Sequence, residues 1–269
     1  RKSKEIQLTP QIKTLLNVTT NALTGEEVIS AILKMKVDLL WFGGIGTYVR
    51  DKNETNLEVG DPANDSVRVF SSEVQAAVIG EGANLGLTQQ ARISYDLKGG
   101  RLNPDFIDNS AGVNMSDYEV NIKILLQYLL SKKIIKTADA RNLILSSNTD
   151  NVTELVLENN RAQHQLISTD LLRSKHNMTP FILVKDLLIA KGDLDKKSEN
   201  IPDQALFDQL SEKGATLPRS IVSILQSYVK MSIYNELLST KLIEDTYFTP
   251  MYNTYFPKPI VDKFKNHLD

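Results

Sequence analysis

Two short segments carry the side chains best suited to chemistry: Gly80-Glu81-Gly82-Ala83-Asn84 and Asn109-Ser110-Ala111-Gly112-Val113-Asn114-Met115-Ser116. Each sets an asparagine among small residues, so a ligand can reach an amide side chain and the nearby backbone together. An amide donates and accepts at once, which matches a carboxamide or a pair of ribose hydroxyls. Asparagine is also a common turn residue, and on spacing alone both readings stand. Ser116 has a structural account as well, because Glu119 three residues later gives it the form of a capping box opening a helix. A helix N-terminus also favours a carboxylate, so the same position suits either role.

The run Gly43-Gly44-Ile45-Gly46-Thr47-Tyr48 follows an apolar stretch, as a dinucleotide-binding turn should. Val49 stands where the third glycine belongs and the next residues read as loop, so the G-x-G-x-x-G fingerprint is not met. Its glycines suit another part, a backbone that lets a ligand approach the carboxyl end of a strand. Lys98-Gly99-Gly100 reads as a helix C-cap rather than a catalytic lysine. The chain has no cysteine, which removes disulfides, thiolate nucleophiles and sulfur-based zinc sites. His164, His176 and His267 lack metal-ligand spacing, so no metal is expected.

These segments need a scaffold, and the first 115 residues offer one by alternating helix and strand. Thr24-Gly25-Glu26-Glu27 reads as a capping box for a helix to about Lys34. Val37 to Phe42, apolar except for Asp38, reads as a strand buried on both faces of a parallel sheet. Residues 50–65 read as a polar loop, exposed or mobile. A short helix over Glu73 to Ala77, a strand over Val78 to Gly80, a helix over Gln89 to Leu97 and a third strand near Asp105 to Ile107 follow. Such alternation predicts a parallel α/β sheet. Three strands fall short of the roughly five or six of a complete doubly wound domain, so a truncated sheet is expected. From Ser116 the period turns helical, with Ile122, Leu125, Leu126, Leu129 and Leu130 on one stripe and a second strong helix after Leu217-Pro218. The tail, Tyr247 to Pro259, is expected to be irregular or packed as an arm. The fold class is therefore α/β followed by mostly α.

Across 269 residues the charge sums to −2, with 41% hydrophobic residues. That balance favours neither nucleic acid nor a membrane surface as partner. Lys132, Lys133 and Lys136 fall where a helix should end, a favourable place for cations. No apolar run reaches the ~18 residues of a membrane span. A chain without cysteine fits the cytoplasm. It begins at Arg1 without an initiator methionine, so it is expected to be cut from something longer or processed.

The segment GEGANLGLTQQARISYDLKGGRLNPDFIDNSAGVNMSDYE resembles the glutamate dehydrogenase superfamily, whose pattern is an EGAN turn, then N-A-G-G-V and S-x-x-E. LLWFGGIGTYVR, GDPANDSVRV and VNIKILL narrow the resemblance to the large, NAD-specific bacterial enzymes. It is specific over about residues 37 to 126 and looser through RSIVSILQSYVKMSIYNELL and the tail. The resemblance implies oxidative deamination of L-glutamate to 2-oxoglutarate and ammonia, with NAD as cofactor. It implies that Asn84 faces the nicotinamide-side ribose, Asn109 the carboxamide, and that Gly43 and Gly44 border the cofactor. Val113 would line the substrate side-chain pocket and Ser116 would bond the side-chain carboxylate of glutamate. It also implies that residues 1–115 are the second half of a Rossmann-like NAD-binding domain, that 116–269 are a helical C-terminal region, and that the whole enzyme is a homo-oligomer. The family's catalytic lysine and aspartate have no counterpart here, so the chain alone is expected to be inactive. Two departures stand out: Phe42 replaces the family's usual asparagine, and Ser110 and Ala111 replace alanine and glycine of the smaller enzymes. The rival reading is a non-catalytic nucleotide-binding α/β domain with a helical assembly module.

Overall fold

The computed structural model describes residues 3–267, apart from the side chains at 243, 249, 252 and 253. A short antiparallel pair, β1 (Ile6–Gln7) and β2 (Ala22–Leu23), brackets α1 (Pro10–Leu16). Thr24 then caps α2 (Gly25–Leu33) reciprocally. Glu27 N–H donates to Thr24 Oγ1 at 3.2 Å, and Thr24 N–H donates to the Glu27 carboxylate at 2.7 Å. Two orphan donors are satisfied at once, as the sequence implied.

The sheet follows. β3 (Leu39–Phe42) is succeeded by β4 (Val49–Arg50), α3 (Asn56–Val59), β5 (Val69–Phe70) and β6 (Val78–Glu81). Next come α4 (Gln89–Leu97), β7 (Arg101–Leu102) and the short α5 (Asp105–Asp108). β3, β6 and β7 form a parallel sheet in that order, with Leu39 opposite Val78 and Phe42 opposite Glu81. β4 and β5 pair separately, also parallel.

Four expectations change here. β3 is not buried on both faces: Leu39 and Trp41 are 55% and 58% exposed, whereas Phe42 is buried. Side chains alternate along a strand, so Leu39, Trp41 and Val78 share an open face. The stretch expected as a third strand, Asp105 to Ile107, is the helical turn α5, and the third strand is β7 instead. Pro104 in extended conformation starts that turn, and three residues, one polar and two apolar, are too few to separate strand from helix by period. The Glu73 to Ala77 helix is only a 3-10 turn at Ser71–Glu73 followed by extended chain. Residues 50–65 are exposed over much of their length, as expected, but they hold the short helix α3 and are tied together: the Arg68 side chain, 1% exposed, donates to Thr47 O, Asn56, Asp65 and Asp61 O. That guanidinium folds the polar loop around itself.

The remainder is helical: α6 (Ser110–Ser131), α7 (Ala138–Ser146), α8 (Thr149–His176), α9 (Thr179–Lys191), α10 (Gln204–Glu212), α11 (Arg219–Leu238), α12 (Thr249–Tyr255) and α13 (Lys258–Phe264). The tail is thus largely helical, with Pro250 and Pro259 in the first turns of α12 and α13, where proline's fixed φ is tolerated.

Two compact units result, one of Arg1–Asn109 and Leu166–Val229, the other of Ser110–Gln165 and Lys230–Asp269. The boundary expected at 115/116 falls inside α6. In the first unit α4 serves two cores. Ala91 and Tyr95, four residues apart on one face, pack with Phe42, Val49, Ile79 and Leu102. Ile93 instead joins the helical cluster of Ile167, Leu188, Phe207, Ile221 and Leu225. Full burial of each such aliphatic side chain contributes about 1.5–3 kcal/mol. Gly100 is required beside this helix, because a Cβ there would lie 2.2 Å from the Tyr95 ring. In the second unit Tyr118, Ile122, Leu126 and Leu129 of α6 pack with Val152, Val156, Ile260 and Phe264, much as the apolar stripe implied.

Candidate functional site

β3 and β6 end side by side, and their following turns touch. The Ala83 N–H donates to Phe42 O at 3.1 Å, placing the EGAN turn against the start of the glycine run. Gly43 and Gly44 are exposed there, while Phe42 points into the core and stacks on Tyr48 with centroids 5.9 Å apart. A phenylalanine at that position is therefore a core residue, with no polar group to offer a ligand.

The EGAN turn has little freedom. A Cβ on Gly82 would lie 2.2 Å from the Trp41 ring, so only glycine lets the tryptophan lie across the strand. Leu85 takes a left-handed conformation, φ +66°, uncommon without glycine, and its N–H donates to Asp105 Oδ2 at 2.8 Å. Gly86 O accepts from Tyr48 N–H and Val49 N–H. Asn84 stands exposed between these fixed points.

Asn109 caps the end of α5, its N–H donating to Asp105 O at 2.8 Å. Its side-chain amide donates to Asn84 Oδ1. The two asparagines, 25 residues apart, thus meet. The contact uses one acceptor of Asn84 and one donor of Asn109, and each amide has further donor and acceptor capacity.

Val113 and Ser116 belong to the second unit. Both lie on α6 and are exposed, Val113 by 63%. The capping-box reading of Ser116 is corrected, because α6 already starts at Ser110 and Ser116 sits in its second turn. Glu119 pairs instead with Lys123 at 2.5 Å, an ordinary i,i+4 surface pair. Ser110 Oγ accepts from Asn160 Nδ2 at 2.9 Å, tying α6 to α8 within this unit. Lys98, read as part of a helix end, donates to Ser72 O at 2.6 Å and so anchors α4 to the preceding loop.

Beneath the turn lies a charge cluster that the residue pattern did not announce. The Glu81 side chain is 0% exposed and paired with Arg92 at 2.8 Å, and Arg92 also reaches Asp105 at 3.2 Å. Burial pushes the Glu81 carboxyl above its ordinary range, with Arg92 pulling the other way. The signal available in the sequence was Arg92 itself, a charge between Ala91 and Ile93 in a helix that buries several faces. A buried charge needs partners, and only the acids near strand ends were available. Nearby, burial raises the Asp96 carboxyl to about 6 although it accepts the Arg219 N–H at 2.7 Å. A cleft of about 550 Å³ exists elsewhere in this unit, between Gln90, Ser94, Lys196 and Asn200, but none of the candidate residues lines it.

The family model described as bacterial NAD-glutamate dehydrogenase, catalytic domain, matches residues 1–170. The chain belongs to that family. A second model, glutamate dehydrogenase, C-terminal, matches residues 214–269 of this family member. The NAD-specific glutamate dehydrogenase of Pseudomonas aeruginosa is 42% identical over 265 residues, spanning 98% of this chain and 16% of that protein. Those of Halomonas elongata and Mycobacterium tuberculosis are 39% and 38% identical over 270 residues, spanning 100% and 98% of this chain and 17% of each protein. The chain therefore spans about a sixth of the length of the curated relatives it matches. Among the described residues, no helix is long and apolar enough to cross a membrane.

Proposed function

We propose that this chain contributes one side of the cofactor and substrate site of an NAD-dependent glutamate dehydrogenase. The reaction is oxidative deamination of L-glutamate to 2-oxoglutarate and ammonia, with NAD supplying the hydride acceptor. The observation that carries the reading is the Asn109–Asn84 contact, which brings two side-chain amides together beyond the carboxyl end of β6. That pair suits the carboxamide and ribose of a nicotinamide nucleotide. Gly43 and Gly44, exposed beside it, leave backbone open to close approach. On the substrate side, Val113 meets the aliphatic part of glutamate and the Ser116 hydroxyl donates to its side-chain carboxylate.

In this reading residues 1–115 are the second half of a Rossmann-like domain and 116–269 a helical region. Support comes from the all-parallel order β3-β6-β7 and from the open face of Leu39, Trp41 and Val78, which suits a further layer of structure. The proton-transfer lysine and aspartate come from parts of the enzyme outside this segment, so the segment alone is inactive. The whole enzyme works in the cytoplasm as a homo-oligomer, for which exposed Val120, Ile124 and Tyr128 on α6 offer apolar contact.

The test uses the full-length enzyme. Losing one hydrogen bond of roughly 1 kcal/mol, Asn84→Ala and Asn109→Ala should each raise the NAD KM about five- to tenfold. Ser116→Ala removes a bond to a charged group and should raise the glutamate KM about tenfold or more, leaving the NAD KM alone. Unchanged KM values would remove these residues from the site. Glutamate-dependent NADH formation by this chain alone would refute its inactivity, and NAD binding by the full-length protein without any binding of glutamate would favour a nucleotide-sensing domain.

A further inference from the structure

Ionised groups are removed from water only where something compensates them, and an apolar replacement of similar volume is often no less stable. The buried cluster under the EGAN turn therefore calls for an explanation beyond packing. Arg92 Nε and Nη2 donate to the two oxygens of Glu81 at 2.8 and 2.9 Å, and Nη2 lies 3.2 Å from Asp105 Oδ1. Asp105 Oδ2 accepts the Leu85 N–H, and Asp105 O accepts the Asn109 N–H. Asp108 Oδ2 accepts the Glu81 N–H at 2.9 Å, and Asp108 Oδ1 accepts from Asn103 Nδ2. Apolar side chains could fill this volume but could not accept these N–H groups.

Asp105 is thus attached to both asparagines, to Asn84 through the neighbouring Leu85 N–H and to Asn109 through its own carbonyl. Arg92 is the cation that holds Asp105 against Glu81, the residue from which the turn departs. Resting on the cofactor reading above, we propose that Arg92 is a positioning residue for NAD: it fixes Asp105, and through it the relative placement of Asn84 and Asn109. It touches no ligand itself. A guanidinium suits the task because its fork meets two carboxylates in fixed directions, which an ammonium cannot do.

The test compares Arg92→Met, Arg92→Lys and Asn84→Ala in the full-length enzyme, with amide hydrogen exchange on the same proteins. In Arg92→Met the Leu85 amide should lose at least ~10-fold more protection than Ile79 in the sheet, whose smaller loss reports the drop in global stability. Misplacement by a fraction of an ångström should raise the NAD KM roughly tenfold with kcat changed less than about threefold. Arg92→Lys keeps the charge without the fork and should fall between, which also covers a methionine variant that fails to fold. If Asn84→Ala raises the NAD KM and neither Arg92 variant does, the positioning role is wrong while the cofactor reading survives. If none of the three raises it, the cofactor reading fails and the positioning role falls with it. Equal loss of protection at Ile79 and Leu85 would make Arg92 a general stability residue and likewise overturn the proposal.

Discussion

The turns after β3 and β6 leave the sheet from paired positions, Phe42 opposite Glu81, and they are held by opposite means. Phe42 anchors the first in an apolar cluster, and the turn itself depends on backbone freedom and space. Gly46 has φ +138°, and a Cβ there would lie 2.5 Å from Asn64 Nδ2. Glu81 anchors the second through a buried carboxylate, and that turn depends on a complete set of partners as well as on the space Gly82 leaves for Trp41. A turn fixed by space fails when an atom is added. A turn fixed by charge fails when one is removed or changes its protonation.

The largest effect should come from breaking the charged anchor. Arg92→Met leaves Glu81 and Asp105 buried without their cation, and losing one partner of a buried pair costs about 3–5 kcal/mol. Denaturant unfolding of the chain measures it. Adding Glu81→Gln removes one stranded charge, so the double variant should be more stable than the sum of the two single losses predicts. Strict additivity would show that the pair does not act as a unit.

Next comes the space-limited turn. Gly46→Ala meets both the Asn64 amide and an unfavourable φ, so a loss of roughly 1–3 kcal/mol is expected. Asn64→Ala in that background should relieve the collision but not the backbone strain. Full recovery would mean that crowding alone requires glycine.

A smaller effect separates the turns by pH. Asp96, next to the charged anchor on α4, is raised from 3.8 to about 6 by burial. Its carboxyl stays protonated in the fold where the unfolded chain has ionised. That contribution to stability is complete below about pH 3.8 and is lost as pH rises through about 6, amounting to about 3 kcal/mol. The wild-type protein should therefore weaken between pH 4 and 6.5 relative to Asp96→Asn, which still offers Arg219 N–H an acceptor. The loss caused by Gly46→Ala should not vary over the same range. A flat difference between wild type and Asp96→Asn would show that Asp96 is ionised throughout.

Much of the scaffold was legible where one local rule decides. The Thr24 capping box, the bounds of α4 and the apolar stripe of α6 all follow from residues within a turn or two of each other. The misreadings share a different cause. Whether Leu39 and Trp41 are covered depends on other elements, and the loop at 50–65 is ordered by Arg68, which follows it. The start of α6 was hidden because Ser110, Ala111 and Gly112 look like loop, yet they continue the helix into which Ser116 falls. At the site, the residue types came from motif resemblance, while the network joining 81, 92, 105 and 108 spans segments that no periodicity relates. Charges at buried helical positions were the one readable hint.

The smallest structural effect offers the sharpest functional contrast between the turns. Gly44 has no heavy atom within 4 Å of an added Cβ, and its φ lies outside the left-handed region. Nothing in the described residues requires glycine there, in contrast to Gly82 and Gly46. Gly44→Ala should change stability by no more than about 0.5 kcal/mol. If the cofactor approaches this backbone, the added methyl occupies its space, and the NAD KM of the full-length enzyme should rise severalfold with the melting temperature unchanged. An unchanged KM would place the cofactor on the EGAN side alone, leaving the first turn as a support that positions Ala83 through Phe42 O.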